Sequence, residues 1–298
     1  MSDKSNPLWA YSLPSALFLM APSDILSSLA MDVYLPIIPE MPTALNTSPA
    51  IVQLTLSVYM IVLGLGQVVF GPMSDRIGRR PIVLGGAFFF TVSSFALAMT
   101  SNGPLFVTLR VLQALGASAM LVATFATVRD VYANSPESSV IYSLFGSMLA
   151  FVPALGPILG AVIAMNFGWR AIFVMLGIFG LFAFCHALLR WHETRPSRQS
   201  RQSPVFWSIL GSSSFWIYTL GFSTAMGAFF VFFSTSPRVL IERLGLSQII
   251  FSAIFATVAF VMIITTRFAR FFVSRWGVEG SLIRGLFVIL MGACILTG

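Results

Sequence analysis

Apolar residues along this chain fall neither into strict alternation nor into one-sided helical stripes; they come in continuous runs. Nine of these, near 13–35, 50–70, 81–100, 104–128, 139–165, 170–190, 211–234, 247–266 and 278–298, approach or exceed the roughly 20 residues a helix needs to cross a bilayer core. A membrane β-barrel would instead show short segments of alternating polarity. These runs are rich in Leu, Phe and Ala and broken by Gly and Pro, which membrane helices tolerate. The pattern predicts an all-α integral membrane protein with nine transmembrane helices. The first run is longer than the roughly 7–15 apolar residues of a signal peptide and contains Asp24 and Asp32, so it reads as a retained first helix.

Composition agrees: 57% of the residues are hydrophobic and 9% charged, against about 25% charged in soluble domains. The net charge of +7 does not call for a nucleic acid. Lys4, Arg76, Arg79, Arg80, Arg129, Arg190, Arg195, Arg198, Arg201, Arg267, Arg270 and Arg275 occupy one set of alternate helix ends, and the opposite ends carry Arg170, Arg238 and Arg243. By the positive-inside rule the N-terminus is cytoplasmic, and the basic loops face an anionic lipid surface. Cys185 and Cys294 lie within spans, and His186 and His192 have no partner at metal-ligand spacing. No metal site or resident cofactor is expected.

The longest hydrophilic stretch, WHETRPSRQSRQSP at 191–204, divides the chain into an N-terminal six-helix bundle (1–190), a cytoplasmic central loop (191–206) and a three-helix C-terminal block (207–298). The loops SDRIGRRP and TRFARFFVSRWG form a faint repeat. Transporters are often built from such repeated halves, in which case three further helices would complete the second half and the chain is truncated. The alternative is that basic loops merely look alike.

Few ionisable groups fall inside the spans: Asp24 and Asp32 on the first helix, Arg110 on the fourth and Arg284 on the ninth. Each costs roughly 2.5–3.5 kcal/mol to insert, so each should face a cavity or a partner. At 1.5 Å per residue, Asp32 lies about 6 Å below the helix exit near Pro36, and Arg110 about 9 Å below the same side. The two are level and can pair, either as a working element or as a static packing pair. Asp24 lies about 12 Å deeper and some 80° around the helix. With no cation at its level, it is the natural proton carrier.

GPMSDRIGRRP at 71–81 predicts a cytoplasmic turn. Gly71 and Pro72 end one helix, Ser74 or Asp75 caps the next, and Arg76, Arg79 and Arg80 lie against the anionic leaflet. FVPALGPILGA at 151–161 predicts a kinked helix whose Gly156, Pro157 and Gly160 admit a close neighbour, or ordinary small-residue packing. MGAFFVFFS at 226–234 is either a greasy drug-lining stripe or a core and lipid face.

These residues resemble a known family. GPM with SDRIGRRP is similar to the loop signature of the major facilitator superfamily, RVLQALGAS (110–118) to its fourth-helix arginine motif, and ALGPILG to the motif of its drug/proton antiporters. MDVYLP, ATFATVRDVYA, VIYSLFGSMLAFVPALGP, GWRAIF and VFFSTSPRVL resemble the chloramphenicol/florfenicol exporters within it. The resemblance implies proton-driven efflux of phenicol antibiotics across the bacterial inner membrane by alternating access between two six-helix bundles. Protons would be the coupling ion, a small amphiphilic drug the substrate, and the working unit a monomer in lipid. It also implies that Asp24, Asp32 and Arg110 couple protons to substrate. Gly71, Asp75, Arg76, Gly78, Arg79 and Arg80 would form a gating loop, and Pro153, Gly156, Pro157 and Gly160 the antiporter motif. The chain departs from the family pattern at Ala114, Ser143 and Val152, where glycine is usual.

An exporter is therefore the leading expectation. A multidrug exporter of other substrates and a truncated, non-transporting remnant are alternatives. A membrane-embedded aspartyl enzyme is disfavoured, because its two carboxylates would share a proton at short range, whereas here both sit on one helix about 12 Å apart.

Overall fold

The computed structural model describes residues 9, 11–132, 137–195 and 211–297. Among these, nine helices are long and apolar enough to cross a membrane: α1 Leu13–Asp32, α2 Pro49–Ile77, α3 Arg79–Met99, α4 Gly103–Tyr132, α5 Glu137–Phe167, α6 Trp169–Arg190, α7 Ser213–Pro237, α8 Gln248–Arg267 and α9 Ala269–Thr297. Lys4, Arg198, Arg201 and the central loop beyond Arg195 lie outside the described residues.

Local chemistry sets the breaks. Ser48 accepts the Ile51 N–H at 3.4 Å with Pro49 as the first residue of α2, a favoured start. The Asn102 carboxamide accepts the Leu105 N–H at 2.9 Å at the start of α4. Gly78 (φ 113°) and Gly168 (φ 80°) supply left-handed backbone that only glycine adopts freely, which lets α2 and α5 each turn into the next helix within one residue.

Two expectations change here. α2 does not stop at Gly71 and Pro72; it runs through both to Ile77, so the turn shrinks to Gly78. Nor does the first span leave its bundle at Pro36. After Asp32 the chain continues as a buried 3-10 turn, Leu35–Glu40, and a short helix, Met41–Ala44. Prolines 36, 39 and 42 withhold the amides an α-helix would need. Asp32 is thus deeper than a count from Pro36 implies.

The first six helices pack as one bundle: α4 lies against α2 and α3, α3 against α6, and α1 against α4, α5 and α6. α3 and α4 touch backbone to backbone, since a Cβ on Gly116 would stand 2.6 Å from the Gly86 carbonyl oxygen. Small residues permit this approach, on which helix association in lipid depends. One apolar cluster fills the end of the bundle near the Leu35–Ala44 cap, and a second, around Trp9 and Trp191, fills the Arg-rich end.

α8 packs along α5, with Phe251 and Phe255 buried and the Ser252 hydroxyl donating to the Pro157 carbonyl at 3.0 Å. Gln248 reaches Glu40 of the cap at 2.6 Å. Phe233 near the end of α7 joins the same cluster, so MGAFFVFFS is partly core and partly exposed stripe. The later helices therefore meet the first bundle at its capped end. α9 kinks at Gly277 (φ 70°), where the Arg284 guanidinium stacks back over Trp276 at 4.7 Å.

Candidate transport site and gating network

Arg110 is fully buried on α4. Its Nη1 donates to the Ala30 carbonyl of α1 at 3.1 Å and to Gln113 Oε1 at 2.7 Å, and Gln113 in turn donates to the Ser94 hydroxyl of α3 at 2.8 Å. The guanidinium lies 4.4 Å from the Tyr59 ring centre and 5.1 Å from that of Tyr34. The Tyr59 hydroxyl donates to the Ser27 carbonyl at 2.9 Å, and the Thr55 hydroxyl reaches Tyr34 at 3.2 Å. A cation is thus held by π faces and neutral acceptors from α1, the turn after it, α2 and α4. Its Nε and Nη2 are buried without a hydrogen-bond partner.

The expected Asp32–Arg110 pair does not form: among the described residues neither enters an ion pair with the other. Their depths match well enough to bring Arg110 onto α1, but the side chain lands on Ala30. Two residues along a helix are about 200° apart around its axis, so Asp32 points elsewhere. It faces α5, where a Cβ added to Gly156 would stand 2.6 Å from Asp32 Cβ and one on Gly160 would overlap the Val33 carbonyl. The antiporter-like stretch is therefore the seat on which the end of α1 rests. Pro157, between those glycines, bonds to α8, so α5 links α1 to the later helices. Pro153 lies in the preceding turn of α5. Asp24 is 7% and Asp32 4% exposed, and among the described residues neither carboxylate has an ion-pair partner.

At the Arg-rich end, Arg79 is not held against lipid headgroups; it is fully buried and pairs with Asp75 at 2.5 Å and with Asp130 of α4 at 2.7 Å. Arg129 approaches Asp75 at 3.6 Å. Neither Ser74 nor Asp75 caps α3. That role falls to Glu193, past the end of α6, which accepts the backbone N–H groups of Arg79 at 2.8 Å and Arg80 at 3.2 Å. A carboxylate there satisfies first-turn donors and complements the helix dipole. Arg80 donates to the Leu188 carbonyl at 3.0 Å, and Arg195 donates to the carbonyl of Arg76. Gly71 and Asp75 also border a cavity of about 390 Å³ between α2, α4 and α5.

Sequence reasoning missed Tyr34, Tyr59, Gln113, Asp130 and Glu193. Tyr34 and Asp130 lie inside stretches already singled out, MDVYLP and VRDVYA, but a tyrosine in a span gives no sign that it faces a cation. Gln113 follows Arg110 at helical i+3 spacing, which is a usable signal. Glu193 carries none, because its partners are more than 110 residues away.

A helical membrane bundle with unpaired carboxylates and a caged guanidinium inside it is the construction of a secondary transporter. Comparison with known proteins gives the family. The sequence profile described as Major Facilitator Superfamily matches residues 20–298, and the chain belongs to that superfamily of transporters. It is 49% identical to a chloramphenicol resistance protein of Pseudomonas aeruginosa over 99% of this chain and 71% of that protein. It is 31% identical to the multidrug resistance protein MdtL of Salmonella heidelberg (strain SL476) over 85% of this chain and 64% of that one. The chain thus spans about two thirds of the length of these relatives. Among solved structures it superposes on a bacterial homologue of the human lysosomal transporter Spinster, inward-facing and occupied (TM-score 0.69, 16% identity, covering 92% of this chain and 63% of that one). It also superposes on a D-xylose–proton symporter (TM-score 0.66, 16% identity, 89% and 70%). It is a multi-span membrane protein of that superfamily, whose members are transporters and not enzymes.

Proposed function

We propose that this chain carries out proton-coupled export of phenicol antibiotics, chloramphenicol and florfenicol, across the bacterial inner membrane. The observation that carries the proposal is the burial of Asp24, Asp32 and Arg110 in one bundle, with neither carboxylate in an ion pair among the described residues. A buried carboxylate without a cation is stabilised by taking up a proton, and substrate binding beside it would release that proton. The 49% identical chloramphenicol resistance protein supports the substrate class.

In this reading 1–190 and 207–298 belong to two bundles joined by the 191–206 loop, working as a monomer with a cytoplasmic N-terminus. The later helices meet the first bundle at the capped end. With the Arg-rich end cytoplasmic, that contact closes the outer side and leaves the inner side open. The gating loop, Gly71 to Arg80, would then change partners when the inner side closes.

The test is accumulation of labelled chloramphenicol in cells expressing the chain, with and without an uncoupler, and with florfenicol as competitor. Export predicts low accumulation that the uncoupler raises, and loss of that difference in Asp24→Asn. Accumulation equal to that of cells lacking the gene, in both conditions, would show that this length of chain does not transport. Uncoupler-sensitive export in Asp24→Asn would remove Asp24 from the coupling.

A further inference from the structure

Two cavities share Phe18 on the side of the bundle where α1 meets α6. The larger, about 530 Å³, is bordered by apolar residues alone, among them Pro22, Ile25 and Leu29 of α1 and Ile178 and Phe182 of α6. The second, about 390 Å³, continues it to the Arg-rich end and has a mixed lining, with Tyr11, Ser15, His186 and Arg190 beside Pro14, Phe18 and Leu19. Among the described residues no Asp or Glu borders either one.

The mouth is built. The Tyr11 hydroxyl donates to the Arg190 carbonyl at 2.5 Å, and its ring stacks on His192 with centroids 5.9 Å apart. The segment before α1 is thereby fastened across the end of α6. Arg190, the last residue of α6, is exposed, and among the described residues its guanidinium enters no ion pair. His186, one turn earlier, sits between Phe18 (5.1 Å) and Phe182 (5.6 Å), and its Nδ1 is buried without a hydrogen-bond partner. One cationic and one hydrogen-bonding side chain thus border the same opening, and among the described residues neither is in an ion pair.

Length singles out the ligand. From Arg190 to Ile178 the helix rises about 18 Å, close to the roughly 15 Å of one leaflet of a bilayer core. A cationic mouth at one end of an apolar trough one leaflet deep matches an anionic diacyl phospholipid and matches neither a free anion nor a compact drug. We propose that the α1–α6 groove holds such a lipid, phosphate against Arg190 and His186, with one acyl chain along Phe18, Pro22, Ile25 and Leu29. This site is separate from Asp24, Asp32 and Arg110 and does not depend on the transport reading.

The experiment is native mass spectrometry of the purified chain titrated with dioleoylphosphatidylglycerol, dioleoylphosphatidylcholine or glycerol 3-phosphate. The anionic lipid should be retained over the zwitterionic one, and glycerol 3-phosphate should not displace it. Arg190→Glu removes one attractive charge and adds a repulsive one, each on the order of fivefold near a membrane surface, so retention should fall about tenfold or more. Ile178→Trp fills the trough without touching the charge, and should lower retention of the same lipid. Ile178 is 54% exposed, and the unfolding midpoint of each variant without added lipid, expected to match the parent, checks folding; Arg190→Gln serves if the reversal fails. Equal retention of both lipids, unchanged retention in either folded variant, or displacement by glycerol 3-phosphate or by chloramphenicol would overturn the assignment.

Discussion

Gly156 of α5 lies directly against Asp32 of α1, so closely that a methyl group on the glycine would stand 2.6 Å from the aspartate Cβ. The shape of α5 and the setting of a buried carboxylate are one feature. Gly156→Ala must therefore push α1 away or deform α5, at about 1–3 kcal/mol for overpacking. Gly146 of the same helix has open space where its Cβ would be, and Gly146→Ala should leave stability equal or higher. Thermal unfolding and drug accumulation of the two variants check this: similar behaviour of both would refute the contact.

Arg110 makes directional bonds to Ala30 and Gln113 and lies over Tyr59. Lysine keeps the charge but lacks the planar fork and the stacking face. Arg110→Lys is expected to yield folded protein that exports at least tenfold less drug. Arg110→Ala, which empties a fully buried site, should lose about 2–5 kcal/mol as well. Size-exclusion profiles alongside accumulation assays separate the two effects.

Glu193 and Asp130 hold the same corner by different means. Glu193→Ala removes the acceptor for the Arg79 and Arg80 amides and should cost about 1 kcal/mol, as lost N-caps do, with Glu193→Gln milder. Asp130→Asn weakens the partner of a buried guanidinium and should cost more, toward the roughly 3 kcal/mol of a broken buried pair. Unfolding midpoints that reverse this order would contradict the assignment of Glu193 as a cap.

Asn166 and His192 are exposed at opposite ends of the bundle. With the Arg-rich end cytoplasmic, Asn166→Cys should react with an impermeant maleimide in intact cells, whereas His192→Cys should react only after permeabilisation. The reverse pattern would invert the topology.

Much of the fold was legible because lipid is a simple solvent: a span must be continuous, apolar and about 20 residues long, and nine such runs became nine helices among the described residues. Boundaries were less legible. Pro72 looked like a helix end but sits inside α2, and the prolines after Asp32 did not end the span but turned it into a 3-10 segment that stays buried. In both places neighbouring helices override local preference.

The sequence by itself determined which runs are long and apolar enough to cross a membrane and which charged residues fall inside them, because a span must be continuous and apolar. Only the tertiary structure decided what those residues touch. Arg110 reaches Ala30 and two tyrosines instead of Asp32, Asp32 rests on Gly156, and Arg79 is buried under Glu193 and Asp130. Contact depends on the rotation of each helix about its axis and on partners up to more than 100 residues distant, and packing of whole helices sets both.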